Sequence, residues 1–187
     1  MVTWFLLIFS FVLAERFLEL AVARRNAHYM RAIGGFEVGA EHYRWIVLLH
    51  ATFFVSLVAE VLERERLDQP PYLLPFSLFL LAQVLRVWIL SSLGKFWNTR
   101  IFVLPGSEPV RRGPYRFMKH PNYTVVAVEL LTLPLAFGAP ITALVFSLLN
   151  AIVLRVRIQA EERALAEVTA YGEQMGNLPR FHPFGKR

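Results

Sequence analysis

Residues 123–154 read YTVVAVELLTLPLAFGAPITALVFSLLNAIVL, a largely apolar stretch that Gly138 and Ala139 divide into two halves. We predict a tight helical hairpin with arms at Tyr123–Phe137 and Pro140–Leu154. Pro140 falls in the first turn of the second arm, where the missing N–H of proline costs least. Each arm is shorter than the roughly 20 apolar residues that usually cross a bilayer, so each needs a thinned bilayer or some interfacial length.

Three longer apolar stretches precede this hairpin, at Val2–Ala23, Trp45–Leu62 and Tyr72–Leu93. The sequence therefore predicts an all-α, polytopic membrane protein with about five spans in a single domain of residues 1–187. The first stretch lacks a basic start and continues past Glu15, so we interpret it as a span and not as a signal peptide.

The composition of the 187 residues supports the same class. Hydrophobic residues make up 56% of the chain and charged residues only 18%, whereas soluble domains carry about a quarter of their residues as charges. The chain contains no cysteine, which excludes disulfides, thiolate zinc sites and cysteine nucleophiles.

A few charged residues fall inside the predicted spans. Glu15, Arg16 and Glu19 lie within about one turn of each other, either facing the bundle or near the headgroups. Arg86 lies within the third span, and Glu60 is a possible partner for it. Charges at such depth are costly and therefore need partners.

Most lysine and arginine residues follow spans one, three and five, so the positive-inside rule places the C-terminus in the cytoplasm and the N-terminus outside. We expect an integral protein of a bacterial plasma membrane. A nucleic-acid partner is disfavoured, because the basic residues follow the topology and form no run with interleaved aromatics.

Two long polar segments, residues 94–122 and 155–187, then lie on the cytoplasmic side. The first ends in GPYRFMKHPNY, residues 113–123, where Gly113-Pro114 is a turn signal and Pro121 forces His120 out of the helical region. The second continues span five without a breaker, so Arg157 and Glu161 form an i,i+4 pair. Function should concentrate in these segments.

These motifs, with Glu161-Glu162 and a closing Leu178-Pro-Arg180-Phe-x-Pro183, resemble the isoprenylcysteine carboxyl methyltransferase family of membrane enzymes. The resemblance covers roughly residues 94–187; Lys119 stands where the family usually has arginine. It implies that residues 1–93 supply spans one to three, and that residues 94–187 form a cofactor-binding and catalytic region with a cytoplasmic pocket. The cofactor it implies is S-adenosylmethionine, with no metal.

S-adenosylmethionine presents a carboxylate, an ammonium, a sulfonium, ribose hydroxyls and an apolar adenine, so its site needs a cation, an acid and aromatic faces. Arg116 or His120 can meet the carboxylate, and Glu161 or Glu162 the ammonium or ribose. The cofactor-binding residues expected from the resemblance are Tyr115, Arg116, His120, Pro121, Asn122, Tyr123, Glu161, Glu162, Arg180 and Phe181.

The expected reaction is methyl transfer to an oxygen of a lipophilic acceptor. The chain is also similar to a bacterial branch associated with alkylpyrones and alkylresorcinols, so the acceptor is either such a phenolic or pyrone lipid or an isoprenylcysteine-like carboxylate. Arg157 is the candidate partner of an anionic acceptor, and Glu129 the candidate base or orienting group for a hydroxyl. A packing hydrogen bond from Asn150 to Glu129 is an equally open interpretation.

Three other functions stay open at this point. A phospholipid N-methyltransferase shares the His-Pro and paired-glutamate features, although its cationic substrate would favour acids and aromatic cages over Arg157. A sterol-type membrane reductase resembles the same region but binds a dinucleotide phosphate. A non-catalytic membrane scaffold would use its basic loops to bind anionic lipid.

Overall fold

The computed structural model describes residues 3–181. Two sequence predictions fall partly outside this range: the start of the first span at Val2 and the closing Pro183 of the C-terminal motif. The described part is mostly helical, with the elements α1 (Trp4–Ala32), β1 (Phe36–Val38), α2 (Ala40–Glu63), α3 (Leu73–Leu93), β2 (Ile101–Val103), α4 (Pro121–Ala136), α5 (Pro140–Val168) and α6 (Tyr171–Met175).

Three helical stretches are long and apolar enough to cross a membrane: α2, residues Leu73–Phe96 around α3, and α5. The helix α1 has 29 residues but carries Glu15, Arg16 and Glu19 within its apolar part. The helix α4 has only 16 residues. An integral membrane protein is therefore supported, and the count of five spans remains a prediction.

Two helices, α1 and α5, extend beyond the predicted spans at their C-terminal ends. The helix α1 continues nine residues beyond Ala23, and α5 continues fourteen residues beyond Leu154. At 1.5 Å per residue, the 29 residues of α5 are about 43 Å long, which exceeds the roughly 30 Å hydrocarbon core of a bilayer. The end of α5 therefore projects its glutamates beyond the apolar layer.

A small sheet corrects the all-α prediction. Strands β1 and β2 pair antiparallel, with Phe36 opposite Val103 and Val38 opposite Ile101. The Glu37 carboxylate of β1 forms ion pairs with Arg31 at 3.0 Å and with Arg100 at 2.5 Å. The sheet thus joins the α1–α2 connection to the α3–α4 connection and walls one side of the polar region.

The apolar core packs around the α4–α5 hairpin, as the sequence predicts. Gly138 makes the turn at a φ of +72°, in the left-handed region that favours glycine. Phe137 at this turn is fully buried, and its ring packs edge-on against Phe5 at 5.1 Å. The carboxylate of Glu60 accepts the N–H groups of Ile141 at 3.1 Å and Thr142 at 2.7 Å. Glu60 therefore caps α5 and pairs with Arg64, so its expected pairing with Arg86 is wrong.

The charged residues of α1, α3 and α4 within the predicted spans form one cluster inside the bundle. Arg86 donates to both oxygens of Glu19, at 2.5 and 2.9 Å, and to Glu129 at 2.6 Å. Arg16 pairs with Glu19 at 3.0 Å and with Glu15 at 2.9 Å. The cluster ties α1, α3 and α4 together at a depth where unpaired charges are costly.

Candidate functional site

The His-Pro segment, residues 113–123, is anchored on α3 by a short turn. Residues Gly113–Arg116 form a 3₁₀ turn, and Gly113 has a φ of +57°. A Cβ added at Gly113 would lie 2.0 Å from the Ser92 hydroxyl, so only glycine lets the turn approach α3 this closely. The buried ring of Tyr115 packs with Ile89 and Val125. This contact fixes where α4 begins, because only four residues separate the turn from Pro121.

Next to this turn lies a cleft of about 1050 Å³, including its open mouth. Its walls come from the β2 region, the start of α4, the projecting part of α5, and α6. The polar side chains that line it include Trp97, Lys119, His120, Asn122, Tyr123, Arg157, Glu161 and Tyr171.

Tyr123 connects the two motif segments at the centre of the cleft wall. Its hydroxyl donates to the Glu161 carboxylate and accepts from Arg157 Nε at 2.8 Å. The imidazole of His120 stacks on its ring with centroids 5.2 Å apart. Arg157 is also held by the Thr99 carbonyl, which accepts from Nη2 at 2.7 Å. The predicted Arg157–Glu161 pair is therefore bridged by Tyr123 instead of being a direct contact.

The closing motif folds back onto the His-Pro segment. The Arg180 guanidinium donates to both oxygens of Glu162, at 3.0 and 2.6 Å, and Glu162 Oε1 lies 3.0 Å from His120 Nε2. The backbone N–H groups of Lys119 and His120 donate to the Pro179 and Arg180 carbonyls at 2.9 and 3.0 Å. We call the three side chains Glu162, His120 and Arg180 the clasp. Glu162 and Arg180 do not line the cleft themselves, and they hold the His120 side chain in the cleft wall.

The Glu162–Arg180 ion pair of the clasp stays charged over a wide pH range. Burial alone would raise the pKa of Glu162, but hydrogen bonds from Arg180 and His120 outweigh it and lower this pKa to about 2. The same hydrogen bond raises the pKa of Arg180. Within the cleft, burial raises the pKa of the Tyr115 and Tyr171 hydroxyls, so both stay protonated and can donate.

We expect the clasp to persist at neutral and mildly acidic pH and to open only in strong acid. The folded-state pKa of Glu162 lies below its ordinary value of 4.5, so its stabilisation is present above pH 4.5 and is lost as the pH falls towards 2. Hydrogen exchange at Lys119 and His120 should rise over that interval. A Glu162→Gln variant should show the faster exchange already at pH 7, and equal protection in both proteins at pH 7 would contradict the role of the clasp.

The structure brings six of the predicted site residues to the cleft: Tyr115, His120, Asn122, Tyr123, Arg157 and Glu161. Glu162 and Arg180 stand behind His120, and Pro121 is buried as the first residue of α4. Arg116 and Phe181 are exposed and do not line the cleft, so the expected contact of Arg116 with a cofactor carboxylate is not supported. Lys119 lines the cleft in its place.

Glu129 lies apart from the cleft, in the buried ion cluster. Its Oε1 accepts from Gln83 at 2.8 Å and its Oε2 from Arg86 at 2.6 Å. The interpretation of a hydrogen bond between Glu129 and Asn150 is therefore wrong. A catalytic role for Glu129 stays a prediction, since both of its oxygens already have partners.

Three buried polar atoms at the cleft have no hydrogen-bond partner among the described residues: Trp97 Nε1, Asn122 Oδ1 and Tyr171 OH. Buried polar atoms are satisfied in the great majority of cases, so three of them around one cleft indicate a polar ligand. Sequence reasoning missed Trp97 and Tyr171. Their only sequence signal is that both lie in the polar segments, because a missing partner is visible only in three dimensions.

A second cavity, of about 630 Å³, adjoins the cleft and reaches into the bundle. The two share the side chains of Trp97, Asn98, Asn122, Tyr123 and Arg157, so these residues form the partition. A third cavity, of about 360 Å³, follows further in and shares His50 and Val126 with the second. Polar groups therefore line a path from the cleft towards the ion cluster.

The motif segments lie largely within a region that matches a known protein family. A sequence model of the isoprenylcysteine carboxyl methyltransferase (ICMT) family matches residues 73–167, from the start of α3 nearly to the end of α5. The uncharacterised protein YpbQ of Bacillus subtilis is 44% identical over 163 residues, covering 87% of this chain and 97% of that protein. An uncharacterised protein of Haemophilus influenzae is 25% identical over 161 residues, covering 86% and 94%.

Proposed function

The chain belongs to the isoprenylcysteine carboxyl methyltransferase family, and we propose that it transfers a methyl group from S-adenosylmethionine to an oxygen of a lipophilic acceptor at the membrane. The observation that carries this proposal is the cleft with its three unpartnered polar atoms beside Tyr123, Arg157 and Glu161. Family membership makes the chain a membrane methyltransferase.

The residues of the cleft fit S-adenosylmethionine group by group. The Glu161 carboxylate suits the ammonium or the ribose hydroxyls, and the Lys119 ammonium and the His120 imidazole suit the carboxylate. Trp97 Nε1, Asn122 Oδ1 and Tyr171 OH would gain the partners that they lack. When bound, the cofactor supplies an electrophilic methyl group on a sulfonium. The clasp contributes by keeping His120 fixed at the cleft wall.

The second cavity suits the acceptor, because it meets the cleft at Arg157 and Tyr123 and is lined further in by apolar side chains such as Leu49 and Val153. Arg157 would hold an acceptor oxygen at the partition, facing the cofactor. Holding two reactants in this way lowers the barrier chiefly by orientation. Both acceptor types, a phenolic or pyrone lipid and an isoprenylcysteine-like carboxylate, place an oxygen beside an apolar body.

We further propose that the cleft opens to the cytoplasm of a bacterial cell, with the N-terminus outside. The basic residues Lys95, Arg111 and Arg112 lie in the α3–α4 connection, and Arg24 and Arg25 lie in the last third of α1. Lysine and arginine concentrate on the cytoplasmic side of membrane proteins. Labelling of single cysteines introduced into this cysteine-free chain would test the orientation.

Calorimetry in detergent with S-adenosylmethionine, and separately with a reduced nicotinamide cofactor, tests the proposal. We expect binding of the first only, followed by methyl transfer to a lipid acceptor. Binding of the nicotinamide cofactor alone would favour a reductase, and binding of neither would contradict the cofactor assignment.

We expect Glu161→Gln to weaken S-adenosylmethionine binding by about 10- to 100-fold. The amide can still accept a hydrogen bond from Tyr123, but it loses the charge for the ammonium, and charge-assisted hydrogen bonds contribute about 1.5–3 kcal/mol. The matched control is Glu167→Gln, an exposed position on the same helix, which should bind as the parent does. Equal affinities in the two variants would remove Glu161 from the site.

A further inference from the structure

His50 on α2 lies where the second and third cavities meet, and no motif points to it. Its ring Nδ1 lies 2.8 Å from the Ile46 carbonyl oxygen. Because a carbonyl only accepts hydrogen bonds, Nδ1 must carry the proton. The other nitrogen of the neutral ring, Nε2, is therefore a lone-pair acceptor, and it makes no hydrogen bond to a described residue.

The surroundings of His50 suit a polar ligand. Val126, which lines the same two cavities as His50, lies three residues after Tyr123 on α4, about 4.5 Å along the helix from that partition residue. Asn150 lines the second cavity too and is only 3% exposed, so its amide places a further polar group beside the same cavity.

We propose that His50 is the catalytic base for an acceptor whose methylated group is a neutral hydroxyl, such as a phenol or an enol. This inference rests on the proposed function. The acceptor oxygen forms a bond to the methyl carbon while the bond from that carbon to sulfur breaks and its electrons stay on sulfur. The hydroxyl proton passes to His50 Nε2, leaving a methyl ether, a neutral thioether and an imidazolium.

The choice of His50 over Glu129 follows from their partners. Both oxygens of Glu129 accept from Gln83 and Arg86, whereas Nε2 of His50 has a free lone pair beside the cavity. A phenol with a pKa near 10 needs such a base at neutral pH, and a carboxylate does not. The charged groups that share the two cavities with His50 are Arg16 and Glu19 of α1, Arg86 of α3, Glu129 of α4 and Arg157 of α5.

The test compares the parent, His50→Gln and the control His28→Gln, an exposed histidine of α1, in detergent with S-adenosylmethionine. The acceptors are 5-pentadecylresorcinol, a phenol, and N-acetyl-S-farnesylcysteine, a carboxylate. We expect His50→Gln to lose at least about 100-fold in turnover on the resorcinol at pH 7, since general bases contribute roughly 10²–10⁴-fold. The loss should shrink as the pH approaches the pKa of the phenol, and cofactor affinity should be unchanged.

A second measurement uses the parent alone, in case His50→Gln does not fold. Turnover on the resorcinol should fall on the acid side as the base becomes protonated, whereas any turnover on the carboxylate should not follow the same curve. A His50→Gln enzyme as active as the parent, a loss that is the same at every pH, or no transfer to the resorcinol would overturn the inference alone. Failure of the parent to bind S-adenosylmethionine would instead overturn the proposed function.

Discussion

Replacing Arg86 with alanine should lower the free energy of unfolding by about 3–5 kcal/mol, the largest stability loss that we expect from a single change. Removing one member of a buried ion pair costs about this much because the partner charge stays buried without compensation. Arg86 makes three hydrogen bonds to Glu19 and Glu129, and its side chain is 7% exposed. The alanine variant would leave Glu19 and Glu129 with Arg16 as their one shared cation among the described residues, at 3.0 and 3.7 Å.

The measurement is unfolding by SDS in mixed micelles, followed by circular dichroism. The control is Arg155→Ala, an exposed arginine of α5 without an ion pair among the described residues, which should change the free energy of unfolding by no more than about 0.5 kcal/mol. If both variants unfold at the same SDS fraction, the ion cluster does not hold α1, α3 and α4 together.

The helices were predictable because long apolar runs dominate the sequence. The C-terminal ends of α1 and α5 were not predicted. No proline or glycine interrupts α1 between Ala23 and Ala32, or α5 between Leu154 and Val168, so each helix simply continues beyond the apolar layer. The two strands have three residues each, too short for an alternating pattern to stand out. The two strands are separated by 62 residues of intervening chain.

The candidate site, too, was predictable only in part. His120, Asn122 and Tyr123 are neighbours in sequence, so their motif already placed them together at the start of α4. Contacts between distant residues were not accessible, because the sequence does not show which helix faces meet. Arg86 pairs with Glu19, 67 residues away in the sequence, and not with its possible partner Glu60. Glu60 lies near the C-terminal end of α2, where it caps α5. His50 and Asn150 could be recognised as candidate site residues only after the structure placed them beside a cavity.

Arg157→Ala should reduce methyl-transfer turnover by roughly 100- to 1000-fold, the range seen when one fixed donor is removed from an active site. Arg157 is 8% exposed and lines both the cleft and the second cavity. Two of its nitrogens are fixed by Tyr123 and the Thr99 carbonyl, and Nη1 makes no hydrogen bond to a described residue. That nitrogen is therefore available to an acceptor oxygen at the partition.

The lysine variant separates charge from geometry. Lysine keeps the charge but lacks the planar fork that lets one side chain bond Tyr123, Thr99 and an acceptor together, so turnover should fall in the order Arg, Lys, Ala. Cofactor affinity should change little, because Glu161 and the unpartnered atoms of the cleft remain. Methyl-transfer assays and calorimetry on the three proteins measure both quantities, with Arg163→Ala as an exposed control on the same helix. Full turnover in Arg157→Ala would show that the acceptor does not bind at the partition between the two cavities.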